Sequence, residues 1–279
     1  MATTATKDYS KIAAGKIRRP SEVKRPLRIF IYSRNKKGKS TFCLSAGVPN
    51  IEDVLFLDPE GGTDQFTKQD PKVWPIEKWE DIDDAYKYIR SGKHNYKWIA
   101  IDGLTKIGTM AVRWVVNQEE ERDLTRRPNK VSLPNYGDAA KMMEAMLFNF
   151  HNLPYGIILT SQERMVSGNE AGDEDEDAED SAVYYVPDLQ RGVRAAVNSM
   201  VDVIGRLYVV NAQVKVRNAK TQEIEEVERP QRRLWIAPHP AYDTGFRSEM
   251  GSKMPKYLKN PTVPSLLELI ENGKVARNG

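Results

Sequence analysis

A short lysine-rich segment stands between a strand-like run and a helix, and it constrains the fold more than any other feature of the chain. Residues 26–32 (PLRIFIY) form an apolar run typical of a buried strand, and residues 39–46 are expected to be helical. Between them, residues 33–40 read SRNKKGKS. This segment nearly matches G-x-x-x-x-G-K-[ST], the phosphate-binding loop pattern, which belongs between a strand and a helix. A nucleotide-binding α/β protein is therefore predicted.

The residue types of this loop suit a polyphosphate. Backbone N–H groups at the start of a helix surround phosphate oxygens, and the helix dipole favours an anion. Lys39 would reach the β- and γ-phosphates, and the Ser40 hydroxyl would bind Mg²⁺. Ser33 replaces the first glycine of the pattern, which makes a positive φ more costly there. The predicted nucleotide-binding residues are Ser33, Arg34, Asn35, Lys36, Lys37, Gly38, Lys39, Ser40 and Thr41.

Strand-like and helix-like segments alternate along the rest of the chain. Strands are expected at 53–58, 97–102, 155–161, 203–210 and 232–238, and helices at 78–91, 104–121, 136–151, 189–200 and 264–271. Continuous apolar strands that alternate with amphipathic helices indicate a mainly parallel sheet covered by helices on both faces. Residues 122–135 are polar and contain proline, so they are expected to form a loop.

Polar residues at three strand ends are candidates for catalysis. Asp102 closes the strand WIAI, where it could organise Mg²⁺ or, alternatively, cap the next helix. Glu60 follows the strand VLFL, and on a strand neighbouring the phosphate loop it could be the general base; the alternative is a surface turn. Gln162 follows the strand GIILTS and could sense the γ-phosphate, or simply open a loop.

The net charge of +3 conceals two segments of opposite sign. Residues 1–41 hold 12 Lys and Arg against two acidic residues, and a basic arm of this kind could hold phosphate backbones or serve only as a solubilising tail. Residues 170–180 hold eight acidic side chains. We predict a disordered arm at 1–24 and one domain at 25–279, with an acidic, disordered loop at 168–182.

Several classes of protein conflict with the composition. No run of about 18 apolar residues is present, so no membrane span is expected. The first 16 residues lack the apolar core of a secretory signal. Cys43 is the only cysteine, which excludes a disulfide within the chain and favours a reducing cytoplasm.

The motifs together resemble those of phage-encoded RecA-like ATPases over residues 26–272. LFLDPEGG resembles the segment that carries the catalytic glutamate of the RecA family, WIAID resembles its Walker B strand, and ILTSQERM resembles its strand-end glutamine and DNA-binding loop. The resemblance implies that Lys39 and Ser40 bind phosphate and Mg²⁺, Glu60 is the base, Asp102 supports Mg²⁺ and Gln162 couples nucleotide to DNA. It implies a RecA-like P-loop NTPase core.

The same resemblance implies a function. We expect a Mg²⁺-dependent, DNA-stimulated ATPase that acts on single-stranded DNA in recombination, annealing or repair, as a homo-oligomer in the cytoplasm of a bacterial host. A phage single-strand-binding protein is the implied partner. One alternative is a nucleotide-gated recombination mediator with little hydrolysis. Another is a small-molecule P-loop kinase, although its arginine-rich lid would fall where this chain is acidic.

Basic residues outside the phosphate loop are candidates for contacts with DNA and with a second subunit. The loop after the Walker B helix holds four of them, with Tyr136 close by for base stacking: Arg122, Arg126, Arg127 and Lys130. A solvated basic loop is the alternative. Arg247 and Lys253 are candidate fingers that reach the γ-phosphate of a neighbouring subunit, or plain surface charges. The acidic run lies where the family's second DNA-contacting loop would be, and its charge repels phosphate.

Overall fold

The computed structural model of the chain describes residues 9–19, 25–125, 127–167, 183–217, 224–247 and 254–272. Its helices are α1 (Tyr9–Lys16), α2 (Lys39–Leu44), α3 (Trp79–Arg90), α4 (Leu104–Arg122), α5 (Leu133–His151), α6 (Arg191–Met200) and α7 (Val263–Asn272). Its strands are β1 (Arg28–Ser33), β2 (Val54–Asp58), β3 (Lys72–Pro75), β4 (Trp98–Asp102), β5 (Gly156–Ser167), β6 (Val183–Pro187), β7 (Val203–Arg217), β8 (Ile224–Trp235), β9 (Gly245–Phe246) and β10 (Tyr257–Lys259).

One sheet organises these elements, in the order β10-β8-β7-β1-β5-β4-β2-β3. The strands from β7 to β3 in this order pair in parallel. The strands β8 and β10 extend the β7 edge in antiparallel fashion. The predicted mainly parallel sheet is therefore confirmed, with an antiparallel edge.

Helices cover both faces of this sheet because the central strands are apolar on both sides. Every residue of β1 and β2 is buried. On one face Phe30 and Tyr32 pack in a cluster with residues of α3, α4, α5 and α6. On the other face Ile29 and Ile31 pack with residues of α2 and α7. The alternation of side chains along β1 thus divides the core into two layers.

The structure extends or adds elements that the apolar pattern did not reveal. Strand β5 continues to Ser167, and β7 and β8 form a long hairpin whose outer residues are largely exposed. The strands β3, β6, β9 and β10 were not predicted, since they are short or poor in buried apolar residues. Within the predicted disordered arm, Tyr9–Lys16 form α1, where adjacent alanines favour a helix.

Some predictions fall on other parts of the chain. The acidic run at 170–180, Arg126 and Lys253 lie outside the described residues. The division into an arm and one domain stays a prediction. Among the described residues, no helix combines the length and the apolar character that a membrane crossing requires.

Candidate nucleotide-binding site

The phosphate loop begins at the last residue of β1 and ends at the first residue of α2. Ser33 is fully buried, pairs with Gln162 of β5, and donates its hydroxyl to the Arg34 carbonyl oxygen over 2.8 Å. The positive φ angles occur later, at Lys36 (61°) and Gly38 (97°). The expected cost of serine at the first glycine position is therefore absent, because Ser33 remains in the strand.

Lys39 is directed back toward the strand that precedes the loop. Its Nζ donates to the Ser33 carbonyl oxygen over 3.4 Å. Burial lowers the pKa of Lys39, and the negative charges of Asp102 and Glu60 oppose this shift. An ammonium group has three N–H donors, so Lys39 can donate to phosphate oxygens as well as to the Ser33 carbonyl oxygen.

Asp102 lies at the end of β4 with only 5% of its surface exposed. It accepts a hydrogen bond from the Thr160 hydroxyl over 2.7 Å, and the Ser40 side chain lies close to it. Burial raises the pKa of Asp102, while the side chains of Ser40 and Thr160 lower it. The helix-cap alternative does not hold, since Gly103 occupies the N-cap of α4 without a side-chain bond.

The oxygens of Ser40 and Asp102 fit a magnesium ion. Mg²⁺ prefers hard oxygen ligands, and P-loop enzymes hold it through a serine or threonine hydroxyl and a carboxylate. The Ser40 side chain lies close enough to Asp102 to lower its pKa, so both oxygens lie at one point of the sheet edge. The residues present therefore fit the ion that the loop pattern implies.

Glu60 lies near Asp102 although the strand before it is not the one that was expected to neighbour β1. Strand β2, which precedes Glu60, does not neighbour β1; β5 and β4 stand between them. The expectation of a neighbouring strand is therefore wrong. The turn after β2 nevertheless carries Glu60 to the end of β4, where a β-carbon built on Gly103 would lie 3.3 Å from Glu60 Oε1. Glu60 thus stands beside the residue that follows Asp102.

Asp58, which the sequence analysis did not single out, holds the Glu60 turn in place. Asp58 is buried, with 4% of its surface exposed. Its carboxylate accepts hydrogen bonds from four backbone N–H groups, those of Glu60 (3.0 Å), Gly61 (2.9 Å), Gly62 (3.3 Å) and Thr63 (2.9 Å). The Thr63 hydroxyl donates a further bond over 2.6 Å. An aspartate that precedes Pro-x-Gly-Gly is the sequence signal that could have indicated this role.

Replacing Asp58 with alanine should lower the stability of the protein. The change removes the shared acceptor of the turn, and hydrogen bonds to a buried charge are worth about 1.5–3 kcal/mol each. We expect the free energy of unfolding in urea to fall by about 2–3 kcal/mol. Asp64→Ala, an exposed acidic neighbour, is the control; equal effects of both variants would contradict the assignment.

Gln162 lies at the point where β5 leaves the parallel sheet. It is the last residue of β5 to pair with β1, and from Glu163 onward β5 pairs with β6 instead. Its backbone N–H donates to the Thr105 hydroxyl over 3.0 Å, and that hydroxyl donates to the Asp188 carbonyl oxygen over 3.0 Å. The alternative, that Gln162 merely opens a loop, is wrong, because the antiparallel partner β6 prolongs the strand.

A buried ion-pair network, also missed from the sequence, follows Gln162. The side chain of Glu163 is 2% exposed, and it accepts from Arg206 Nε over 2.6 Å and lies 3.5 Å from Arg34 Nε. The Arg206 guanidinium stacks on the rings of Tyr185 and Tyr242, 4.1 and 4.3 Å from their centroids. The Glu163 carboxylate thereby connects Arg34 of the phosphate loop to Arg206 of β7.

The structure describes four of the other residues predicted to contact DNA or a second subunit. Arg122, Arg127 and Lys130 are exposed at the end of α4 and in the loop that follows. Arg247 donates its guanidinium to the Ser199 carbonyl oxygen of its own chain over 2.6 Å. These residues stay predictions for contacts with DNA or a second subunit.

A cavity of about 570 Å³ opens between α4, α5 and α6, beside Gln162. Residues that line it include Thr105, Arg113, Val131, Tyr136, Arg164 and Leu189. Thr105 is also the residue whose hydroxyl holds the Gln162 backbone. The cavity wall therefore includes β5, the strand that pairs with β1, through Arg164, and a hydrogen bond connects Thr105 to the same strand.

The order of strands, with the phosphate loop between β1 and α2, defines a P-loop domain of RecA-like fold. A family model described as an AAA domain matches residues 25–248, and the chain belongs to this family. A comparison with curated proteins gives no match.

Solved structures of a recombinase and of two secretion ATPases are similar to the chain at low identity. The RadB recombinase is 13% identical, with 80% of this chain and 86% of that chain covered and a TM-score of 0.41. EscN, the ATPase of the type III secretion system of enteropathogenic E. coli, is 14% identical over 65% of this chain and 43% of its own, with a TM-score of 0.38. A prototypical ATPase of the type III secretion system of pathogenic bacteria is 14% identical over 66% and 51%, with a TM-score of 0.40. This chain spans about half the length of the two secretion ATPases.

Proposed function

We propose that this protein binds ATP with Mg²⁺ and hydrolyses it, and that it acts on single-stranded DNA in phage-type recombination, annealing or repair. The observation that carries the proposal is the meeting of Lys39, Ser40, Asp102 and Glu60 at one edge of the sheet. These residues come from three separate segments. Their ammonium, hydroxyl and carboxylate groups are those that phosphate binding and water activation require.

Each side chain has a role in this proposal. The loop N–H groups and Lys39 bind the β- and γ-phosphates. Ser40 would hold the Mg²⁺ ion, which would neutralise phosphate charge, and the neighbouring Asp102 carboxylate would support it. Glu60 accepts the proton of the attacking water. An exposed carboxylate beside Gly103 favours hydrolysis over the alternative of a mediator that only binds ATP.

The cavity beside Gln162 supports the part of the proposal that concerns DNA. Arg113 and Arg164 line it, and both can contact backbone phosphate. Tyr136, 48% exposed, offers a ring on which an unpaired base can stack. The bond from Gln162 to Thr105 gives bound nucleotide a route to this surface. We further propose that the protein acts as a homo-oligomer, with a phage single-strand-binding protein as partner, in the cytoplasm of a bacterial host.

ATP hydrolysis, measured with and without Mg²⁺ and with and without a single-stranded oligonucleotide, tests the proposal directly. We expect hydrolysis to need Mg²⁺ and to increase when the oligonucleotide is added. A Mg²⁺-dependent rate that the oligonucleotide leaves unchanged would contradict the DNA part of the proposal. An absence of hydrolysis together with tight ATP binding would favour the mediator.

Replacing Tyr136 with alanine should weaken binding of the oligonucleotide. Stacking of a base on an aromatic ring contributes about 1–3 kcal/mol, so the dissociation constant should rise about fivefold to a hundredfold. Phe148→Ala, an exposed aromatic residue on the same helix that does not line the cavity, is the control. Fluorescence anisotropy with a labelled oligonucleotide measures both, and equal affinities of the two variants would place the DNA elsewhere.

A further inference from the structure

Arg232 of β8 lies against the phosphate loop of its own chain. A β-carbon built on Gly38 would lie 2.9 Å from Arg232 Nη1 and 3.1 Å from its Cδ. The guanidinium group therefore packs directly on the residue that precedes Lys39. A side chain at this position would displace the guanidinium, and the φ of 97° at Gly38 favours glycine.

The sheet holds Arg232 firmly in this position. Arg232 pairs with Val209 of β7, and its backbone carbonyl oxygen accepts a hydrogen bond from the Asn260 N–H over 2.7 Å. Leu234, two residues on, belongs to the buried cluster that includes the α2 residue Phe42. Because residues i and i+2 of a strand share a face, Arg232 is on the same face as α2.

Other arginines of this region have clear partners within the protein. Arg233, the next residue, donates to Gln231 Oε1 over 3.1 Å and stacks on the Tyr257 ring at 4.6 Å. Arg206 is paired with Glu163. Among the described residues, by contrast, no acidic side chain lies within 4 Å of the Arg232 guanidinium and no group accepts a hydrogen bond from it.

We propose that Arg232 is a phosphate-binding residue, which supplies a second cation from the same chain to nucleotide held by the phosphate loop. This inference rests on the proposed ATP site and extends it. A guanidinium stays charged at any physiological pH and presents several N–H donors to phosphate oxygens. Lys39, whose ammonium is partly desolvated, and Arg232 would then share the charge of the triphosphate.

The contact itself allows a purely structural role, in which the Arg232 stem only packs on Gly38. Arg232→Met separates the two roles, since methionine keeps an unbranched apolar stem and removes the charge. Arg232→Lys keeps a charge on a similar stem. Arg233→Met removes an arginine from the opposite face of the same strand and is the matched control.

The experiment uses the full chain and titrates a fluorescent, slowly hydrolysed ATP analogue with Mg²⁺, at two salt concentrations. A hydrogen bond to a charged group implies that Arg232→Met weakens binding about tenfold to a hundredfold and reduces the salt dependence. Arg232→Lys should recover part of the affinity, and Arg233→Met should bind as the parent does. Inorganic tripolyphosphate, as competitor, should show the same order, because the contact is to phosphate.

Two results would overturn the inference: parental affinity in Arg232→Met, or equal losses in Arg232→Met and Arg232→Lys. Should methionine disturb folding, Arg232→Gln gives a neutral, polar replacement to which the same criteria apply. Lys39→Ala separates a failure of the role proposed for Arg232 from a failure of the proposed ATP site. If Lys39→Ala loses binding and Arg232→Met does not, only the role of Arg232 fails; if Lys39→Ala binds normally, the ATP site itself is misplaced.

Discussion

Lys39→Ala is expected to abolish tight ATP binding. The ammonium of Lys39 is the cation at the start of α2, and it has the Ser33 carbonyl oxygen as a partner at 3.4 Å. Two charge-assisted bonds to the β- and γ-phosphates would contribute about 1.5–3 kcal/mol each, so the affinity should fall about a hundredfold or more. Isothermal titration calorimetry with ATP and Mg²⁺ measures the change.

The same substitution should not destabilise the nucleotide-free protein. Because burial lowers the pKa of Lys39, its charged form is less favourable in the folded chain than in the unfolded one at neutral pH. This cost is present below the lowered pKa and is relieved as the pH rises through it. Alanine removes the charge, so a loss of affinity at undiminished urea stability identifies a binding role. Lys93→Ala, an exposed lysine elsewhere, should bind ATP normally, and unchanged affinity in Lys39→Ala would overturn the phosphate-loop assignment.

Glu60→Gln is expected to keep ATP binding and to lose turnover. The amide has the shape of the carboxylate, so the packing against Gly103 and the backbone bonds of the turn to Asp58 should persist. It cannot accept the proton of the attacking water. General-base catalysis contributes about 10²- to 10⁴-fold, and kcat should fall by that factor.

A phosphate-release assay under saturating ATP, together with calorimetry, checks both halves of this prediction. Glu77→Gln makes the same chemical change at an exposed position outside the site and should hydrolyse ATP as the parent does. Hydrolysis at the parental rate in Glu60→Gln would show that the base lies elsewhere. A loss of binding in that variant would instead assign Glu60 to nucleotide or Mg²⁺ affinity.

The sequence predicted the central strands and the phosphate loop well because their signals are local. Residues 26–32, 53–58 and 97–102 are continuous apolar runs, which is the pattern of strands buried on both faces. The GKS at the start of α2 was recognisable because a strand precedes it and a helix follows. Short or exposed strands such as β3 and β10 lack that pattern, since pairing with a neighbouring strand defines them.

The placement of Glu60 illustrates what local signals cannot supply. From the sequence, β2 was expected beside β1, but two other strands separate them. The glutamate still reaches the site because Asp58 turns the chain toward the end of β4. The sequence thus indicated Glu60 as a candidate residue, while the position of Glu60 at the site depends on the strand order.

The sequence by itself determined that this chain forms an α/β sheet with a phosphate loop, and it indicated Lys39, Ser40, Asp102 and Glu60 as the residues of interest. Tertiary structure alone decided which strand ends meet, that β5 lies between β1 and β4, and that Glu163 and Arg232 adjoin the phosphate loop. The physical reason is the range of the forces involved. Hydrophobic periodicity and turn chemistry act over a few residues and can be read along the chain, whereas the contact between Arg232 and Gly38 exists only after distant strands have paired.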